Sequence, residues 1–272
     1  MADDHAQPIR ATSRDGTHLA YRLVAGGGAG RCVLIHSLAM DGSFWDGVTP
    51  LLADHGDVLV YDCRGHGASD KPEGPYSVSL FADDLADLFD HVGWEKVVVC
   101  GASMGGCVAL AFAERYPRRV DGLGLFDTTA WYGEDAPSAW ETRAQKALEG
   151  GMGALVDFQK TRWFSDAFRQ AHPKSVDGAI AVFLRNDPKA YAATCRMLGA
   201  ADARAALSGF DFPCRILVGE EDYATPVAMA EAMHAAIPRS ELRVIEKARH
   251  FTPIERPLEI AEAIGALLSA TR

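Results

Sequence analysis

Three residues far apart in the chain could together make a hydroxyl nucleophilic. They are Ser103 in Gly101-Ala102-Ser103-Met104-Gly105, Asp222 in ILVGEEDYATP and His250 in EKARHFTPIERP. A serine at neutral pH is a weak nucleophile and needs a base beside it, and an imidazole serves best when a carboxylate fixes its tautomer. Ser103 stands where the apolar run KVVVCGA gives way to a second one, VALAF. A tight strand-to-helix turn there would strain the serine backbone and lift its hydroxyl clear of the sheet, with small residues on either side because neighbouring backbone comes close. A helix beginning at Met104 would aim its free N–H groups at the same point and favour an oxyanion. The second oxyanion donor is expected from Leu38 N–H in the loop LIHSLAMDGSFW.

Rivals exist for two of the three roles. Asp127 in LFDTTA, or Glu220 or Glu221 beside Asp222, could be the acid. Among nine histidines, His66 in RGHG is the rival base, although the flanking glycines suggest a tight structural loop. His36 is read as a support of the Leu38 loop and a lining residue of the site, not a reactant.

The elements that must position these residues are legible as patterns. Strand-like runs occur at QPIRATS, HLAYRLVA, CVLIHSL, VLVYDC, KVVVCGA, VDGLGLFDT, CRILVGEE and ELRVIEKA. Several are continuous Val/Ile/Leu runs, as in parallel strands buried on both faces, whereas the first two alternate and meet through Asp15-Gly16 as an antiparallel edge. Helical patterns follow at SFWDGVTPLLADH, SVSLFADDLADLFDHVG (with its carboxylates expected on the outer face and Gly93 as the stop), MGGCVALAFAERYP, VAMAEAMHAAIP and PLEIAEAIGALLSA. Strand alternating with helix predicts an α/β fold with an eight-stranded, mostly parallel sheet and helices on both faces. Residues 130–207 contain helical patterns but no strand, and a structureless loop of that length is rare, so they predict a helical cap inserted after the sixth strand. The body is then 1–129 and 208–272. Trp131, Trp140 and Trp163 fall in the cap, where they either pack it onto the body or face a pocket beneath it.

The G-x-S-x-G turn, with its partners in the order Ser, Asp, His, is similar to the nucleophile elbow of α/β-hydrolases. Along essentially its whole length the chain resembles the 3-oxoadipate enol-lactonases: HSLAMD, YDCRGHGASDKPEGPYSV, GASMGG, the cap segment RWFS, VGEEDYATP and RHFTPIERP carry the likeness. The resemblance implies metal-free hydrolysis of a small carboxylate-bearing lactone in aromatic catabolism, with Ser103, Asp222 and His250 as nucleophile, acid and base and no cofactor. An anionic substrate implies a cation in the cap: Arg162 beside Trp163, with Trp131 also at the substrate, and Arg185 and Arg196 as weaker candidates. The chain departs from the family at His36, Ala39 and Thr252-Pro253, where Asn, Gly and a small polar pair are common; these changes are expected to line the site. A general carboxylesterase, a hydrolase of C–C or amide bonds in ring-cleavage products and a non-turnover ligand receptor are the other readings.

Composition sets the outer bounds. The 272 residues are 48% hydrophobic and 24% charged, which suits one α/β domain with an insertion. A net charge of −10 disfavours nucleic acid and anionic membrane surfaces as partners. The six cysteines show no metal-ligand or CxxC spacing and are expected as free, buried thiols. The polar start MADDHAQPIR is not a signal peptide and no apolar run reaches membrane-spanning length, so a soluble cytoplasmic protein is expected, monomer or homo-oligomer.

Overall fold

The computed structural model describes residues 9–270. Most of the MADDHAQPIR segment therefore lies outside the described residues. Among those described, no helix is long and apolar enough to cross a membrane.

Eight strands form one sheet: β1 (Ile9–Thr12), β2 (His18–Val24), β3 (Gly30–Ile35), β4 (Gly56–Tyr61), β5 (Val97–Ala102), β6 (Val120–Phe126), β7 (Cys214–Gly219) and β8 (Ser240–Ile245). Their spatial order is β1-β2-β4-β3-β5-β6-β7-β8. β1 and β2 pair antiparallel, as do β2 and β4, and the remaining pairs are parallel. Every residue of β5 is buried, so both faces of the sheet centre are covered. From β3 the chain moves outward to β4, then returns to place β5 on the other side of β3. Their C-terminal ends therefore flank the point where strand order reverses, which is where open α/β sheets leave a crevice. The Leu38 loop leaves β3 there and Ser103 ends β5.

The first two helices are α1 (Val78–Val92) and α2 (Met104–Arg115). Ser77 caps α1 by accepting from Leu80 N–H, and Gly93 ends it in the left-handed conformation at φ 70°. Between β6 and β7 the chain runs through α3 (Ala136–Gly150), α4 (Val156–Trp163), α5 (Asp166–Ala171), α6 (Pro173–Leu184) and α7 (Pro188–Gly199). The two ends of this insertion meet as a bridge between Trp131 and Asp202, closed by Ala203 N–H to Ala130 O at 2.9 Å. Then come α8 (Val227–Ala236), the single turn α9 (Thr252–Glu255) and α10 (Pro257–Ala270). The insertion is tied to the body by polar contacts: Ser165 N–H and O–H donate to Glu255, and Arg249 donates to the Thr161 and Phe164 carbonyls. The six cysteines are buried and free.

Two local expectations fail. SFWDGVTPLLADH is not a helix but two 3-10 turns, Gly42–Trp45 and Thr49–Leu52. Gly47 and Pro50 interrupt it before an α-helical run can propagate, although Trp45 and Leu52 are still buried. The carboxylates of α1 do not all face outward either. Asp84 is buried and accepts from Arg64 Nε–H at 2.6 Å, while Arg64 Nη1 donates to Asp15 at 2.8 Å. Arg64 belongs to the turn YDCRGHGASD, so this buried ion pair anchors that turn to α1. α5, capped by Ser165, is only six residues long, too short for the sequence to show a helical period.

Two outcomes follow from this packing. Replacing Asp84 by Ala leaves a buried guanidinium short of its main partner and is expected to lower unfolding free energy by about 3–5 kcal/mol in urea titration. His66 is buried beside His36, and burial together with that neighbour pushes its imidazole down from 6.5 to about 3. Between those values the unfolded chain binds a proton that the folded one refuses, so stability falls as pH is lowered through that window. A series of urea midpoints from pH 7 to pH 4 should show the fall, and His66→Asn should lessen it without removing it, because burial also holds the His36 imidazole below its usual range.

Candidate active site

Ser103 sits at φ 53° and ψ −116°, outside the regions ordinary residues occupy. The surroundings leave it no alternative. A Cβ on Gly101 would lie 2.0 Å from the Gly105 carbonyl oxygen, and one on Gly105 would lie 2.2 Å from that of Ile35 in β3. The serine backbone is held at both ends: its N–H donates to Phe126 O at 2.9 Å, and its carbonyl accepts from Gly106 N–H at 2.9 Å and Thr128 Oγ1 at 2.7 Å. The hydroxyl therefore projects from the turn at the head of α2.

His250, in the loop between β8 and α9, meets it. His250 Nε2 is 2.9 Å from Ser103 Oγ, and His250 Nδ1 is 2.7 Å from Asp222 Oδ2. All three residues are buried. The carboxylate of Asp222 also accepts from Ala224 N–H (2.7 Å), Thr225 N–H (3.0 Å) and Thr225 Oγ1–H (2.8 Å). Burial acts to raise its pKa, but His250 and the Thr225 donors outweigh that and hold it below the usual carboxylate range. An ionised Asp222 draws the imidazole proton onto Nδ1 and leaves the Nε2 lone pair facing the serine hydroxyl.

The rival residues lie elsewhere. Asp127, buried at φ 45°, accepts from Gly219 N–H at 3.1 Å, Thr252 N–H at 2.9 Å and Thr252 Oγ1–H at 2.6 Å. Burial, reinforced by the nearby Asp222 charge, raises its pKa well above the ordinary value. It ties the end of β7 to Thr252, two residues after His250, and so fixes the spacing of the Asp222 and His250 loops. Glu220 accepts from Lys247 N–H and Glu221 from Arg249. His66 Nδ1 lies 3.0 Å from Arg64 O, deep in its turn.

Leu38 lines the cavity above Ser103, and Met104 is the first residue of α2. Among the described residues neither N–H has a protein acceptor. Asn186 of the insertion braces the Leu38 loop by donating to Ala39 O at 2.8 Å, and Ala39 itself adopts φ 58°.

The cavity over Ser103 has a volume of about 20 Å³, room for one water. Arg162 and Trp163 line it as expected, Trp163 stacking on Phe251 at 4.9 Å between centroids. Several expected lining residues do not reach it. Trp131 lies at the neck of the insertion with the Arg204 guanidinium 3.6 Å over its ring, because adjacent residues in extended backbone point opposite ways and Tyr132 is the one turned inward. His36 is fully buried, its Nδ1–H donating to Ser37 O at 2.8 Å and its Nε2 accepting from Cys63 N–H at 3.0 Å; it supports the loop from below. Ala39, Thr252 and Pro253 do not line the cavity either, so the departures at these positions act on the scaffold. Arg185 and Arg196 are engaged at the surface with Asp41 and Glu141. Sequence reasoning missed Tyr132, Arg143 and Gln159 as lining residues. One signal was available, since Trp140 and Arg143 are three apart on α3 and share a face.

The comparisons agree with this architecture. The alpha/beta hydrolase fold family matches residues 32–257. The 3-oxoadipate enol-lactonase 2 of Acinetobacter baylyi is 32% identical over 244 residues, 89% of this chain and 90% of that protein. The crystal structure of the enol-lactonase from Burkholderia xenovorans has a TM-score of 0.91 at 33% identity, covering 96% of this chain and 100% of that one. A thermophilic esterase from Thermogutta terrifontis, solved with malate bound, has a TM-score of 0.91 at 31% identity over 98% of this chain and 99% of its own. The chain belongs to the α/β hydrolase fold family.

Proposed function

We propose that this protein is a serine hydrolase that opens a small lactone or ester through an acyl-enzyme, in the manner of the enol-lactonases it is similar to. The single observation that carries the reading is the continuous chain of contacts from Ser103 Oγ through both nitrogens of His250 to Asp222, at 2.9 and 2.7 Å.

In this mechanism His250 Nε2 takes the Ser103 proton as Oγ bonds to the scissile carbonyl carbon. The carbonyl π electrons move onto oxygen, and Leu38 and Met104 N–H groups hold the resulting oxyanion; each such donor typically contributes about 2.7–4 kcal/mol to the transition state. Collapse of the tetrahedral species breaks the bond to the ester oxygen, which leaves as an alkoxide or enolate and takes the proton from Nε2. In a lactone that oxygen stays tethered to the acyl group. Water then attacks the acyl-enzyme, its proton passing to Nε2, and Ser103 leaves with that proton as the acid is released. Asp222 stabilises the imidazolium in both halves. The helical insertion over 130–207 acts as a cap that closes the cavity against bulk water, which strengthens each of these interactions.

Steady-state kinetics on an enol-lactone and on p-nitrophenyl acetate test the reading. Multiple turnovers are expected, and Ser103→Ala should cost at least about 10³-fold in kcat. A wild-type protein that binds these compounds without turning them over would make it a receptor. Preference for simple esters over the lactone would move it to the carboxylesterases, and cleavage of amides or vinylogous diketones alone would move it to the other hydrolase readings.

The acid assignment has its own test. Asp222→Asn is expected to lower kcat by about 10⁴-fold through loss of the productive tautomer. Asp127→Asn, which touches Thr252 and not the imidazole, should cost less than about 10²-fold through mispositioning. Equal losses in two folded variants would overturn the assignment.

A further inference from the structure

One side chain on the cavity wall has no part in the steps above: the hydroxyl of Ser37, which shares that wall with Ser103, Leu38 and His250. Five serines are buried among the described residues, Ser37 at 2% exposure. The other four each set their hydroxyl on a protein partner at 2.6 to 2.9 Å: Ser13 on Asp15, Ser69 on Asp62 O, Ser103 on His250 and Ser165 on Glu255. Among the described residues the Ser37 hydroxyl has none. A buried hydroxyl left unpaired costs free energy, and that cost is recovered only when an acceptor arrives. In this cavity the arriving acceptor is the substrate.

The backbone around Ser37 indicates which substrate atom it meets. Its carbonyl accepts from His36 Nδ1–H at 2.8 Å and from Met40 N–H at 3.1 Å. His36 donates there because its Nε2 accepts from Cys63 N–H, which keeps the ring proton on Nδ1. In a planar trans peptide the carbonyl and the following N–H point opposite ways. These two donors therefore hold Leu38 N–H turned away from them, and Leu38 lines the cavity. Ser37 Oγ is separated from Leu38 N by only three intervening atoms, so bond lengths keep the two within about 5 Å of each other. The same loop presses on the nucleophile turn, where a Cβ on Gly105 would lie 2.8 Å from His36 O. An oxyanion shared by Leu38 and Met104 N–H groups is consequently within reach of the Ser37 hydroxyl. The leaving oxygen and the attacking water are served instead by His250 Nε2.

We propose that Ser37 is a further catalytic residue, its Oγ–H serving as a third donor to the oxyanion beside the Leu38 and Met104 N–H groups. This rests on the hydrolase reading above and adds a side chain to a hole otherwise made of backbone. One loop then supplies two donors, since the bonds that fix the Ser37–Leu38 peptide set the place of the hydroxyl as well. Because the hydroxyl is already buried and has no protein partner to give up, it meets the developing charge with little reorganisation.

Kinetics on p-nitrophenyl acetate together with urea unfolding separate this role from a structural one. Ser37→Ala removes an oxygen that bonds to no protein group among the described residues, so its urea midpoint is expected to equal or exceed that of the wild type. Its kcat should fall roughly 10- to 100-fold, the range of a hydrogen bond to a charged group, with KM nearly unchanged. Ser37→Cys, whose thiol is a weak donor, should fall by a similar factor. A trifluoromethyl ketone gives a readout apart from turnover. Ser103 Oγ adds to its carbonyl carbon, the serine proton passes to His250 Nε2, and the carbonyl π electrons settle on oxygen as an oxyanion. Its inhibition constant should rise in Ser37→Ala by the factor that kcat loses. An unchanged kcat, a loss confined to KM, an unchanged inhibition constant or a lowered urea midpoint would overturn the third donor and leave the hydrolase standing. A wild type that neither turns over the ester nor binds the ketone would bring down both.

Discussion

The carbonyl oxygen of Ile35 and the backbone of Gly105 approach so closely that nothing larger than hydrogen fits between them. This steric constraint pins the turn after β5 against the end of β3. With Gly101 equally tight against Gly105, Ser103 at the centre of the turn is driven to positive φ, a strain of order 1–3 kcal/mol. That cost is sustained by the buried central strands, every residue of β5 included. One packing constraint therefore sets three things at once: the projection of Ser103, the start of α2 with Met104 N–H free, and the proximity of the Leu38 loop that leaves β3.

The rest of the site is assembled on loops by polar ties. Asp127 receives hydrogen bonds from the end of β7 and from Thr252, holding the Asp222 and His250 loops at a fixed spacing without touching the imidazole. Thr225 and Ala224 orient the Asp222 carboxylate before it meets His250. From the insertion, Asn186 secures Ala39 and Ser165 engages Glu255. Ser103, Asp222 and His250 are thus set by rigid strands below and by hydrogen-bonded loops above, while among the described residues Arg143 and Arg162 meet aromatic faces and one hydrogen-bond partner each.

Much of this was legible in the chain itself. All eight strands announce themselves because buried parallel strands are continuous apolar runs, and Ser103, Asp222 and His250 stand out because strand ends, glycines and Pro226 mark their turns. The 3-10 turns over 42–52 were misread as a helix because their buried Trp45 and Leu52 mimic a helical stripe; Gly47 and Pro50 held the contrary signal. Asp84 looked like one carboxylate among several on α1, and only the Arg64 turn arriving from elsewhere makes it a buried partner. Trp131 was one position off: in extended backbone the choice between it and Tyr132 depends on register at the neck, which no local pattern encodes. Arg143 and Gln159 come together only because α3, α4 and α7 converge on Tyr191.

The most direct measurement is a crystal structure of the protein after reaction with an alkyl fluorophosphonate. If the strained serine is held for attack beside two free N–H groups, phosphorus will be bonded to Ser103 Oγ. Its non-ester oxygen will then lie about 3 Å from both Leu38 N and Met104 N, with His250 still bonded to Asp222. An unreacted Ser103, or an adduct whose oxygen turns away from both N–H groups, would contradict the account.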